Sequence, residues 1–270
     1  MNTPNHILKR TVRFSINTDR SKKGHNTTAS KPSMTTLGRY YELTIAVQGT
    51  PDPQTGYLLG IQEIDALVRN HLHQLISDAI ESNPHQHPTQ LLPALWENAS
   101  KNLAPPLHSI TWHLTPYHQI TMNNSTQPTG AVLIEQLYEF AAAHRLHTPH
   151  LSDQENAEFF GKCNNPSGHG HNYKLRPSIR VPLSLINQSK DIHLLIENAV
   201  NESIIDPLDH KNLNTDCPPF DQSKDGSIPS VENITTHCYN ALAPKLESLG
   251  CTLEQITVWE TDRTSATYPA

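Results

Sequence analysis

The sequence predicts an α+β protein in which one β-β-α-α-β-β unit occurs twice, over residues 1–125 and 131–270. Three observations predict it. Short runs that alternate polar and apolar residues come in pairs, as half-buried antiparallel strands do. Segments with apolar residues at helical spacing lie between the pairs. The same residues also recur in the same order in both halves, as a divergent repeat would leave them. Gly38-Arg-Tyr-Tyr41-Glu-Leu43 lines up with Gly170-His-Asn-Tyr173-Lys-Leu175, and Phe14-Ser-Ile-Asn-Thr18 with Phe140-Ala-Ala-Ala-His144. Pro88-Thr89 lines up with Pro229-Ser230, and residues 110–115 with 256–261.

In chain order, residues 1–10 read as frayed. Residues 11–17 and 40–49 alternate and are predicted strands, separated by a Lys-, Ser- and Thr-rich mobile loop over 18–36. Asp52-Pro-Gln-Thr-Gly56 carries the residues of a turn, and Tyr57-Leu-Leu-Gly is expected to end a hairpin. Ile64, Leu67, Val68, Leu72, Leu75 and Ile76 predict a helix over 62–82, and a second follows over 89–103. Residues 110–114 and 119–122 are the closing strands, and polar 123–129 is the linker.

The pattern then restarts. Residues 132–143 suit one strand, although 133–142 also fits a helix. Residues 147–166 read as a loop with a helical turn at 153–160, and 172–181 as a strand. A helix is predicted at 192–200 and a loop at 204–214. Ser230 is a good N-cap, and Glu232 favours the first turn of a helix running to about Leu246. Residues 255–261 and 264–268 complete the second set of strands.

Composition excludes several classes. A net charge of -6 and a pI near 6.3 argue against a general nucleic-acid binder. No apolar run approaches the roughly 20 residues of a membrane span, and residues 1–10 show no secretory h-region. Cys163, Cys217, Cys238 and Cys251 are scattered without a disulfide framework, so a cytoplasmic protein is expected.

The chemistry concentrates in Cys163-Asn-Asn-Pro-Ser-Gly-His169-Gly-His171-Asn-Tyr173. On a strand, His169 and His171 project from the same face and can close on one ion. A third ligand is then Cys163 or His144. Three imidazoles with an open fourth position suit a catalytic zinc; with Cys163 as fourth ligand the site would be closed and structural. Cys163 is otherwise a thiolate base or a buried free thiol. Asp209-His210 is either a proton relay or a loop cap with a solvated histidine, and adjacency argues against Asp209 orienting the His210 ring. Glu260, among apolar strand residues, needs a partner: a structural arginine or a ligand with paired N–H donors.

Where the second half has His144, His169, His171 and Glu260, the first has Thr18, Leu37, Arg39 and Leu114. What is lost is what binds metal or moves protons. The first half is therefore expected to be scaffold and the second active.

Five stretches over about 135–270 together resemble the 6-pyruvoyltetrahydropterin synthase family. They are Phe140-Ala-Ala-Ala-His144-Arg-Leu, residues 160–174 around His169-Gly-His171, Pro207-Leu-Asp209-His210-Lys-Asn-Leu, Glu232-Asn233, and Val258-Trp-Glu260-Thr261-Asp. The first half matches best at its Asp52–Gly56 turn, which the second half lacks. The resemblance implies a tandem tunnelling fold (T-fold): antiparallel sheets, two helices on one face of each, joining into an oligomeric barrel. It implies zinc on His144, His169 and His171, Cys163 as base with Asp209 and His210 as relay, and pterin binding by Glu260 with Thr261 and Glu232. The implied reaction converts 7,8-dihydroneopterin triphosphate to 6-pyruvoyl-tetrahydropterin and triphosphate, with magnesium neutralising the triphosphate. The related 6-carboxytetrahydropterin synthases typically place three residues between Cys and His-Gly-His, whereas this sequence has five (164–168). A non-catalytic pterin-binding module is the alternative that an intact Cys163, Asp209, His210 and Glu260 disfavours. Family barrels built from tandem chains favour a homo-oligomer of three chains over a dimer.

Overall fold

The computed structural model describes residues 5–19, 24, 26, 28–188 and 191–270. The chain forms two compact units, Met1–Ile134 with Val181–Gln188, and Glu135–Arg180 with Ser189–Ala270.

In the first unit, β1 (His6–Ile16), β2 (Arg39–Gly49), β3 (Leu107–Thr115) and β4 (His118–Asn123) pair antiparallel in sequence order. Residues 6–10 are strand, not frayed ends. Each pairs with β2, and Arg10 grips Asp65 through two 2.9 Å bonds. The expected mobile loop over 18–36 is tied down in part: Lys31 N–H donates to the Arg13 carbonyl and Ser15 N–H to that of Pro32, both at 3.0 Å. Residues 1–4, 20–23, 25 and 27 lie outside the described residues.

Tyr57–Gly60 is not a strand. The Asp52 carboxylate accepts from the N–H groups of Gln54 and Thr55, closing the turn, and Gly60 caps the next helix. That helix runs Ile61–Leu67, passes through a π-turn at Val68–Leu72 and continues as His73–Ser82. With the helix Leu92–Asn102 it buries Ile64, Val68, Leu72, Ile76, Leu92 and Leu95, while the sheet buries Phe14, Leu43, Ile110 and Trp112. Each such side chain contributes about 1.5–3 kcal/mol.

The apolar run 132–143 is two strands, β5 (Ala131–Gln136) and β6 (Tyr138–His144), parted at Leu137; neither the single strand nor the helix forms. In the second unit β6, β7 (His169–Pro182), β9 (Thr252–Thr261) and β10 (Thr264–Tyr268) again pair antiparallel in sequence order. β7 starts three residues earlier than position 172, so His169 and His171 are strand residues. The first helix runs Ile192–Val200, takes a π-turn at Asn201–Ile205 and ends at Asp206–Leu208. The expected 204–214 loop is thus mostly ordered. Lys211–Asn212 forms β8, parallel to β6, and Leu213–Asp216 is a helical turn. The helix Val231–Ser248 follows.

Both units have the tunnelling-fold order, and their registers correspond. Phe14 pairs with Tyr41 and Leu43 with Trp112; Phe140 pairs with Tyr173 and Leu175 with Val258. These are the positions aligned from sequence. The π-turn in the first helix of each unit adds an agreement that no residue type announces. Among the described residues no helix is long and apolar enough to cross a membrane.

Candidate metal centre and active site

β6 ends at His144 and β7 begins at His169, and the two are register partners. Along β7, Tyr173 and Leu175 are buried while Gly170 and Asn172 are exposed, so His169 and His171 share the inward face. The ligating nitrogens of His144, His169 and His171 all lie within 4.8 Å of one another. The Nε2 atoms of His144 and His169 are 3.1 Å apart.

Helix capping sets the tautomer of His144. Ser230 caps the helix Val231–Ser248 by accepting from Asn233 N–H, which leaves the Pro229 carbonyl facing the strand. His144 Nδ1–H donates to that carbonyl at 2.7 Å. The proton is therefore on Nδ1, and the Nε2 lone pair faces the cluster. Burial, followed by His169 and His171, outweighs this bond and pushes the His144 pKa down to about 4. Burial and then His171 lower that of His169, with Glu260 opposing. His171 Nε2 is buried and has no hydrogen-bond partner among the described residues. Converging imidazole lone pairs repel one another unless a cation stands among them, and three neutral imidazoles are a donor set that fits zinc.

Glu260 on β9 belongs to this cluster. Its Oε1 is 3.4 Å from His144 Nε2 and 3.8 Å from His171 Nε2. Its neighbours are histidines, not an arginine. Tyr173 hydroxyl lies 3.4 Å from the His144 ring, and its pKa is raised by burial, then by Glu260 and Cys163. Cys163 and Glu260 are thus both within electrostatic reach of one phenol. Cys163 is half-buried in the turn Gly161–Asn164, and its carbonyl accepts from Leu146 N–H at 2.9 Å. Cys217, Cys238 and Cys251 are buried; burial raises all three, Cys238 to about 12.

Asp209 does orient the adjacent His210 ring, contrary to the expectation from adjacency. His210 takes a left-handed φ of 56°, which turns Nδ1 back to donate to Asp209 Oδ2 at 2.7 Å. Asp209 Oδ1 accepts from Ala141 N–H, which, followed by His210, lowers the Asp209 pKa. The His210 side chain is 83% exposed and lines a cavity of ≈490 Å³ with His171 and Asn172. Among the described residues no hydrogen bond joins Cys163 to Asp209 or His210. Glu232 is exposed in the first turn of its helix, and Thr261 is exposed at the end of β9.

Sequence reasoning missed three asparagines that hold the segment after His144. Asn214 accepts from Arg145 N–H at 2.7 Å and donates to the Arg145 carbonyl at 3.0 Å. Fully buried Asn156 bonds both backbone groups of Thr148. Asn164 Oδ1 meets His147 Nδ1 at 3.1 Å. The capping box Ser152–Glu155 that opens the Asn156 helix was the available signal for one of them.

Similarity follows the second unit. The family model described as 6-pyruvoyl tetrahydropterin synthase matches residues 133–270. A 6-pyruvoyl tetrahydrobiopterin synthase from Poecilia reticulata is 36% identical over 136 residues, 50% of this chain and 88% of that protein. The Homo sapiens protein of the same name is 35% identical over 139 residues, 50% of this chain and 89% of the relative. The solved Caenorhabditis elegans 6-pyruvoyl tetrahydropterin synthase is 31% identical with a TM-score of 0.45, covering 51% of this chain and 94% of that one. With its family match spanning just over half its length, the chain belongs to the 6-pyruvoyl tetrahydropterin synthase family.

Proposed function

We propose that the chain is a zinc-dependent lyase that converts 7,8-dihydroneopterin triphosphate to 6-pyruvoyl-tetrahydropterin and triphosphate. The observation that carries this reading is the histidine cluster with Glu260 inside the half that matches the family. His144, His169 and His171 would hold the metal, which when bound polarises the hydroxyls of the substrate side chain. Every other role falls to the chain. The Pro229 carbonyl keeps the His144 proton on Nδ1. Cys163, as thiolate, takes a carbon proton from the side chain. Asp209 holds His210 in one tautomer, and His210 moves protons. Glu260 accepts from the N–H groups of the pterin ring, with Thr261 and Glu232 at its margin. Magnesium accompanies the triphosphate.

The exposure of His210, without a bond to Cys163 among the described residues, supports a site completed by a second copy of the chain in a homo-oligomer. Residues 1–125 act as a degenerate scaffold copy of 131–270, a reading supported by the shared registers. The test is triphosphate release. Cys163→Ala is expected to abolish it while zinc stays bound; release at the wild-type rate would exclude Cys163 as the base.

A further inference from the structure

We propose that the first unit binds a small carboxylate in the cavity between β2, β3 and the helix His73–Ser82, where the second unit has its histidine cluster. Arg39 stands at the position of His171, Tyr41 at that of Tyr173, Trp112 at that of Val258 and Pro88 at that of Pro229. All four line the cavity, and Ala79 and Ile80 of the helix close it. The first unit has thus exchanged a candidate metal ligand for a guanidinium, which turns the preference of the position from cation to anion. Every residue of this site lies in the first unit, so it is independent of the pterin chemistry and goes beyond a scaffold role.

The donors of this cavity lack acceptors. Trp112 is 2% exposed, and its Nε1–H is buried with no hydrogen-bond partner among the described residues, a cost that an accepting ligand removes. Among the described residues, no hydrogen bond or ion pair engages the Arg39 guanidinium or the Tyr41 hydroxyl either. Strand alternation puts Arg39 and Tyr41 on the inward face of β2 with buried Leu43. The Tyr41 and Trp112 rings meet edge to face with centroids 5.1 Å apart, so packing fixes both. No Asp or Glu lines the cavity, and Asn83 and Gln86 add amide donors. The enclosed space is ≈30 Å³. One water needs about 10–15 Å³, so the space takes about two oxygen-sized atoms, the number a carboxylate carries. A tetrahedral oxyanion, with four, is too large. Arg39 is exposed, which leaves the rest of the acid in solvent.

The experiment follows indole N–H resonances by NMR in the full chain, labelled at its tryptophan nitrogens. The chain has three tryptophans, and Trp112→Phe identifies the resonance of Trp112. Sodium acetate is titrated at constant ionic strength, with sodium chloride and acetamide as controls. Acetate is expected to move the Trp112 resonance downfield saturably, and neither control to do so. Arg39→Gln is expected to weaken acetate about tenfold, the loss of one charge-assisted bond. Arg39→Lys, which keeps the charge without the fork, is expected to fall between. Arg39 is exposed, so its replacement leaves the fold intact. A Trp112 resonance insensitive to acetate, an equal response to acetamide, or unchanged acetate affinity in Arg39→Gln would overturn the proposal. So would a resonance that moves with protein concentration and not with acetate, which would assign the acceptor to a second chain.

Discussion

His144 and His169 face each other across the β6–β7 ladder with their Nε2 atoms 3.1 Å apart. With the His144 proton on Nδ1, its Nε2 lone pair is turned toward His169, and a cation beside the two rings would be held by both. Removing either ring leaves two ligands, too few for a stable zinc site. His169→Ala is expected to lower zinc affinity at least 100-fold in competition with a chromogenic chelator, and His144→Ala to do the same. Stoichiometric zinc in both variants would remove the cluster as the metal centre.

Acid should release the metal and weaken the fold. An unfolded histidine protonates near pH 6.5, whereas folded His144 does so only near 4. Between those values the unfolded chain binds more protons, so stability rises with pH and falls on acidification. His144 alone accounts for up to about 3 kcal/mol of that loss, with His169 adding in the same direction. Urea unfolding of metal-free protein at pH 7 and pH 4.5 measures it; equal stabilities would mean that His144 charges freely in the fold.

Among the described residues Asn214 makes no hydrogen bond to the histidine cluster, yet it fixes the backbone one residue beyond His144 through two bonds. Outer-shell supports of this kind are worth roughly 10–100-fold in metal affinity. Asn214→Ala is expected to lose about tenfold, and Asn214→Asp, which keeps the acceptor for Arg145 N–H, to recover part of it. An unchanged zinc affinity in Asn214→Ala would confine the residue to loop structure.

Gly168 precedes His169 with a φ of 71°, and a Cβ there would stand 3.1 Å from the His144 carbonyl oxygen. Gly168→Ala should cost about 1–2 kcal/mol through the left-handed backbone alone, read as a lower urea midpoint. Because the strain falls between two ligands, zinc affinity should drop with it.

Much of this was legible in the chain. Strand alternation, helical spacing and Ser230 as cap placed the elements, while the register that pairs Phe140 with Tyr173 and His144 with His169 is seen only in the fold. Other features depend on forces that sequence pattern does not carry. Residues 6–10 look polar and frayed because what holds them is backbone pairing with β2 and an ion pair to Asp65, 55 residues away. The Asp209–His210 bond depends on a positive φ that histidine rarely adopts. The place of Glu260 among the histidines follows from the β7–β9 register, set by residues far apart in sequence. The asparagine clamps had no periodic signal, since each acts once, on one backbone segment.

The most direct measurement is the product formed when zinc-loaded protein is incubated with 7,8-dihydroneopterin triphosphate. Mass spectrometry is predicted to find 6-pyruvoyl-tetrahydropterin and inorganic triphosphate in equal amounts, and neither with Cys163→Ala. A 6-carboxytetrahydropterin product, or substrate recovered unchanged from zinc-loaded wild-type protein, would contradict the assignment.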